Sequence, residues 1–164
     1  MTVVRTDRLV LRSPRMADAP TIVDLLNDAD MTRGLAVVPY PYGLADAESF
    51  IERRPDNTFA VCLKDGSLIG AMGLGKQLGY WFGKAYWGRG YATEAARALL
   101  TDHFAQSDET VISGYAAWNV ASARVLEKLG FEETGDKMQH ILSLDREVPA
   151  KSVALTKARW EAWQ

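Results

Sequence analysis

The segment Trp87-Gly88-Arg89-Gly90-Tyr91-Ala92-Thr93 constrains this chain more than any other. Upstream lies the strand-like run LGYWFG, Leu78 to Gly83. Downstream, in TEAARALLTDHF and the residue before it, Ala92, Ala95, Ala96, Leu99, Leu100 and Phe104 fall at helical spacing. A strand, a turn with two positions lacking a side chain, and a helix follow in order, so backbone N–H groups of the turn can converge where the helix begins. The helix dipole adds about half a positive charge there, which suits a pyrophosphate better than a carboxylate. The Thr93 hydroxyl can add a donor, while a tight turn alone would also use both glycines.

Two other phosphate loops fail on spelling. Gly83 and Gly88 have the Walker spacing, but Arg89-Gly90 stands where Lys and Ser/Thr belong. A dinucleotide fingerprint from Gly88 and Gly90 meets Thr93 at its last position, and Asp108 and Glu109 precede the next strand instead of closing it.

Elsewhere, DRLVLRS reads as a strand ended by Pro14, and MADAPTIVDLLNDAD as a helix with Asp18 as its cap and Pro20 in its first turn. MTRGLAVVPYPYG, broken by Pro39, Pro41 and Gly43, is an ordered loop and lid candidate bearing Tyr40 and Tyr42. LADAESFIERR is a short helix that Pro55 ends. TFAVCLK, SLIGAMGLG and LGYWFG form an antiparallel meander, with Gly79 and Gly83 marking a bulge that splays the third strand. TVISGYAAW is a strand, NVASARVLEKLGF a helix capped by Asn119 and closed by Gly130 and Phe131, and KSVALTKARWEAW a strand running into a terminal helix. Strands paired as a meander and then alternating with helices predict an α/β fold in one domain, residues 1–164.

The totals exclude several classes. Nineteen basic residues against 21 acidic ones, scattered but for Arg53-Arg54, give no footprint for nucleic acid. The charged N-terminus MTVVRTDRLVLRS leaves no room for a signal peptide or membrane span, so the expected compartment is the cytoplasm. Cys62 is the only cysteine and His103 and His140 the only histidines, which argues against a disulfide, a metal centre or a nucleophile–histidine relay. The aromatic cluster Tyr80, Trp81, Phe82, Tyr86, Trp87 and Tyr91 lacks the basic groove of a nucleic-acid stacking face.

The order of elements resembles the GNAT acyl-CoA N-acetyltransferases, in the branch similar to ribosomal-protein alanine acetyltransferases. That family's Q/R-x-x-G-x-G/A loop falls on Trp87, Gly88, Arg89, Gly90, Tyr91 and Ala92, and its N-x-x-[SA] helix ending in K-x-G-F on Asn119, Ser122, Lys128, Gly130 and Phe131. The opening TDRLVLRSPRMADA and closing VALTKARWEAW look like the same branch. Trp87 replaces the family's leading Gln or Arg, Leu126 stands where many members place a tyrosine general acid, and Gln77 where the branch often has a glutamate.

The resemblance implies a mostly antiparallel sheet splayed at the cofactor strand, with helices on both faces, and transfer of acetyl from acetyl-CoA to a primary amine by direct attack, with CoA as product. It places pantetheine along the backbone of Tyr80 and Phe82. It places the pyrophosphate on the loop from Trp87 to Thr93, and gives Asn119 a further cofactor contact. Ser122 is the candidate proton donor to the thiolate, or simply part of the helix cap. Gln77, His140, Glu48 and Asp46 stay open as routes for the amine's proton. A catalytically weak acyl-CoA-binding module is the alternative, and neither the acceptor nor a homodimer is read from the sequence.

Overall fold

The computed structural model describes residues 2–163. Strands β1 (Val4–Arg5) and β2 (Leu9–Arg12) lead through a 3-10 turn at Met16–Asp18 into α1 (Ala19–Leu26), α2 (Ala29–Thr32) and α3 (Leu44–Arg53). The meander follows as β3 (Thr58–Leu63), β4 (Leu68–Leu74) and β5 (Leu78–Phe82). After a 3-10 turn at Lys84–Tyr86 come α4 (Tyr91–Gln106), β6 (Val111–Ala116), α5 (Val120–Lys128), β7 (Glu132–Ile141), β8 (Arg146–Leu155) and α6 (Lys157–Trp163). The fold is mixed α/β, with two antiparallel sheets ordered β1-β2-β3-β4-β5 and β6-β8-β7.

Helices cover both faces of the longer sheet. Leu9, Leu11, Val61, Ile69, Met72 and Phe82 point toward α4 and α5, where they bury Ala95, Ala96, Leu99, Leu100, Phe104 and Leu126. Alternate residues, among them Ala60, Cys62 and Leu68, point the other way onto Ile22 and Leu26 of α1 and Ala47 and Ile51 of α3. Burying each leucine of α4 in this way contributes roughly 1.5–3 kcal/mol, so packing holds the helix against the sheet more than its alanines do.

Three local expectations are corrected. Asp18 makes no side-chain cap to α1; its carboxylate takes both guanidinium nitrogens of Arg12 at 2.8 Å and the Arg15 N–H at 2.8 Å. The expected long helix also breaks at Asn27, whose side chain accepts the Tyr42 N–H, and Asp28 caps the short α2. The bulge expected in β5 is absent, since its register on β4 is continuous from Gly70–Phe82 to Leu74–Leu78. Strand β7 was not foreseen: Glu132 to Met138 are all exposed, so no alternation of apolar and polar residues marks it.

Candidate active site

The two sheets meet at one seam. Gln77 and Ile112 form a lone parallel bridge, the Ile112 N–H reaches Lys76 O at 2.9 Å, and the Ser113 hydroxyl reaches Leu78 O at 2.8 Å. Beyond these contacts β5 and β6 make no further ladder pairs, so the splay expected from the sequence lies on the β6 side of β5.

The register fixes what lines this seam. Gly83 N–H bonds to Ile69 O, so in the antiparallel ladder Gly79, Trp81 and Gly83 turn their backbone groups toward β4. Leu78, Tyr80 and Phe82 therefore turn theirs toward the seam. Leu78 O is taken by Ser113 and Phe82 O by the Trp87 indole N–H at 2.7 Å, which leaves Tyr80 N–H and C=O and Phe82 N–H as the strand's open edge. On the facing side Ile112, Gly114 and Ala116 point their backbone groups back at it. An extended ligand can add to such an edge as a short strand does.

At the open end of the seam stands the bare turn. Gly88 and Gly90 have φ of 73° and 81°, left-handed values that a side chain would strain, and nothing lies within 4 Å of where a Cβ on Gly88 would project. The first backbone bond of α4 runs from Glu94 N–H to Gly90 O, so the N–H groups of Tyr91, Ala92 and Thr93 precede the helical ladder. Gly88, Arg89 and Gly90 are exposed and Tyr91, Ala92 and Thr93 half-buried. These amides at the start of a sixteen-residue helix can hold an anion.

The turn is braced by residues the sequence reading did not single out. Arg8 Nη1 donates to Arg89 O at 2.9 Å, its Nε to Glu94 Oε1 at 2.7 Å, and its guanidinium carbon lies 4.5 Å from the centre of the Tyr91 ring. Glu94 also accepts the Thr6 hydroxyl at 2.6 Å and the Arg8 N–H at 2.9 Å. Burial alone would raise the Glu94 pKa, but the bonds from Thr6 and Arg8 outweigh it and hold the carboxyl below its ordinary value.

Near the joined end, Tyr80 O–H and Ser122 Oγ lie 2.9 Å apart. Asn119 caps α5 as expected, its Oδ1 accepting the Ser122 N–H at 3.1 Å, so the serine backbone is fixed on the first turn. The other end of α5 closes with Gly130 at φ 97°, Gly130 N–H on Glu127 O and Phe131 N–H on Leu126 O, which is the expected Gly-Phe stop. Leu126 is buried in the core. Burial pushes the Tyr80 phenol up to about 12, against a smaller opposing pull from Ser122, so it keeps its proton at neutral pH. Handing that proton to a thiolate of ordinary pKa about 8.5 would be uphill by roughly 5 kcal/mol, which leaves Tyr80 as a hydrogen-bond donor and not an acid.

The remaining candidates are dispersed. Asp46 Oδ2 accepts the Gly43 N–H at 2.8 Å, Glu48 is exposed on α3, and His140 Nε2 lies 3.7 Å from Asp145 at the end of the β7–β8 hairpin. Gln77 is exposed beside the bridge. The loop of residues 33–43 is fastened at several points: Leu142 N–H bonds to Ala36 O, Tyr42 is buried, and a Cβ on Gly34 would come within 3.3 Å of Asn119 Nδ2. It is a fixed wall beside the start of α5. Among the described residues no cluster of three or more His, Cys, Asp or Glu could hold a metal, and no helix is long and apolar enough to cross a membrane.

The sequence profile of the acetyltransferase (GNAT) domain matches residues 8–132, from the bracing arginine past the α5 stop. The chain belongs to the GNAT acetyltransferase family. Among relatives of this GNAT chain, the uncharacterized protein YkkB of Bacillus subtilis is 34% identical over 150 residues, covering 76% of this chain and 82% of that protein. The fold matches a GNAT-family acetyltransferase from Bacillus anthracis with a TM-score of 0.83 at 22% identity, over 96% of this chain and 99% of that one. It also matches RimL, a ribosomal L7/L12 alpha-N-protein acetyltransferase solved in complex with coenzyme A, with a TM-score of 0.78 at 16% identity over 94% and 98% of the two chains.

Proposed function

We propose that this GNAT enzyme is one acetyltransferase domain that acetylates the α-amine of a peptide or protein N-terminus from acetyl-CoA. The observation that carries the reading is the seam: an open edge at Tyr80 and Phe82 leads straight to the bare amides after Gly88. The residues present fit the cofactor. The N–H groups from Gly88 to Thr93 would hold its pyrophosphate, and the backbone of Tyr80 and Phe82 its pantetheine arm. Trp87 would pack the loop, and Asn119, whose Oδ1 is engaged in the cap, would offer only its NH2 group.

Bound acetyl-CoA supplies an activated acetyl thioester, and the chain's residues place it and manage two protons. The amine nitrogen forms the new bond to the acetyl carbon and loses a proton; the carbon–sulfur bond breaks and the sulfur gains one. Ser122 presents its O–H to the sulfur as negative charge develops there.

The acceptor follows from the weakness of the base. Asp46 is occupied with Gly43, and Glu48 and His140 are exposed away from the Tyr80–Ser122 contact. An α-amine is roughly 10% neutral at pH 7 and a lysine about 0.04%, a difference of about 3 kcal/mol that a site without a strong base does not overcome. RimL, which shares the fold, is by its title an acetyltransferase of a protein α-amine.

The test is thiol release from acetyl-CoA with matched peptides, one carrying only a free α-amine and one only a lysine amine. Faster release with the first is expected; faster release with lysine overturns the acceptor. Buried Leu126, where many relatives carry a tyrosine acid, favours the second reading, an acyl-CoA-binding module. CoA binding without thiol release from any amine would establish it.

A further inference from the structure

We infer that Tyr80 is a positioning residue for the transfer: its phenol O–H donates to Ser122 Oγ and so aims the serine hydrogen at the sulfur, an inference that rests on the role given above to Ser122.

A serine or threonine hydroxyl on a helix commonly turns back to a carbonyl of the preceding turn. Two others in this chain do so, Thr101 onto Arg97 O at 2.7 Å and Thr32 onto Ala29 O at 3.4 Å. Ser122 instead meets a phenol across the sheet, 42 residues away in sequence. A hydroxyl carries one hydrogen and two lone pairs. If the phenol donates into one lone pair, the serine hydrogen must lie in another direction, and with the backbone pinned by Asn119 it has little choice of where to go.

The geometry of β5 makes the phenol a good anchor. The Tyr80 ring packs on the main core with its centre 6.3 Å from that of Phe82. The same residue turns its backbone N–H and C=O into the seam. One residue thus offers the ligand a backbone edge and orders the hydroxyl waiting near its reactive end, so the two contacts cannot drift apart without moving the strand.

The test reads the bound thiol directly. The protein is saturated with CoA and titrated by the ultraviolet absorbance of the thiolate, with the desulfo-CoA complex as blank. A hydrogen bond to the thiolate favours the charged form and lowers the thiol's pKa. Tyr80→Phe and Ser122→Ala should each raise the titration midpoint by about one pH unit, tenfold less thiolate at a given pH. The double variant should match Ser122→Ala alone. In turnover, Tyr80→Phe should lower kcat by about tenfold while KM for acetyl-CoA stays within about twofold. Should Tyr80→Phe fold poorly, Tyr80→3-fluorotyrosine keeps the packing, strengthens the donor and should lower the midpoint.

An effect of Tyr80→Phe that persists undiminished in the Ser122→Ala background overturns the inference. So does no effect of Tyr80→Phe or Tyr80→3-fluorotyrosine beside a clear effect of Ser122→Ala, and that result leaves the role of Ser122 standing. A midpoint unmoved by Ser122→Ala removes the serine's role and this inference with it, and failure to bind CoA removes the cofactor reading beneath both.

Discussion

Arg8 Nε lies 2.7 Å from Glu94 Oε1 although 86 residues separate them in sequence. The pair ties the approach to the first core strand to the opening turn of the helix behind the bare loop, and Arg8 carries that tie on to Arg89 O. Because the folded pKa of Glu94 lies below its ordinary 4.5, its contribution to stability is fully present above that pH and is lost as pH falls through the folded value. Glu94→Gln should therefore cost about 1–2 kcal/mol at pH 7, with the gap from wild type closing below about pH 4. Urea midpoints measured from pH 3 to 7 check this. Affinity for CoA at pH 7 should fall by about threefold to tenfold as the loop loosens.

The two loop glycines should not respond alike. Alanine at either position is strained by about 1–2 kcal/mol, since both φ values are left-handed. A methyl at Gly88 meets nothing within 4 Å, whereas one at Gly90 would lie 3.3 Å from Arg8 Nη2. Gly90→Ala should lower the melting temperature further than Gly88→Ala and weaken CoA binding more. Thermal melts with and without CoA separate the two.

Trp87 answers the question raised by the missing Gln or Arg of the family loop. Its indole N–H holds Phe82 O at 2.7 Å, so the side chain steadies the end of β5 and leaves the amides of the turn untouched. Trp87→Phe should cost about 0.5–1 kcal/mol of stability, at the low end because Trp87 is 45% exposed and water can replace the donor. CoA affinity by calorimetric titration should stay within about threefold.

Gly79 offers a probe of the acceptor's approach. Leu78, Tyr80 and Phe82 pack toward α4, so Gly79 shares the opposite face with Trp81, and a Cβ there meets nothing within 4 Å. Gly79→Ala should fold as well as wild type and bind CoA equally. If the amine arrives over this face, KM for the acceptor should rise by about threefold or more while KM for acetyl-CoA holds.

Much of this was legible from residue order. The bare turn, the caps of α5, the meander and the splayed strand each have a local signature in Gly88 and Gly90, Asn119 and Gly130, or alternating apolar residues. What escaped lacks one. The Tyr80–Ser122 contact and the Arg8–Glu94 brace join residues whose nearness only the fold creates, and nothing in TDRLVLR points to position 94. Strand β7 gains its place from pairing with β8 along its whole length, which outweighs an exposed, polar sequence. Asp18 looked like a cap because of its neighbours, but an arginine from β2 outbids the helix for its carboxylate.

The open edge of β5 has a counterpart in how its amides should exchange with deuterium. Those of Gly79, Trp81 and Gly83 are engaged with β4, while those of Tyr80 and Phe82 face the seam. Along five consecutive residues in the middle of the protein, slow and fast exchange should therefore alternate, and a ligand that lies along this strand would slow the fast set alone. The enzyme in this sense carries a sheet that is one strand short of finished, and the molecule it uses up in each cycle is also what completes it.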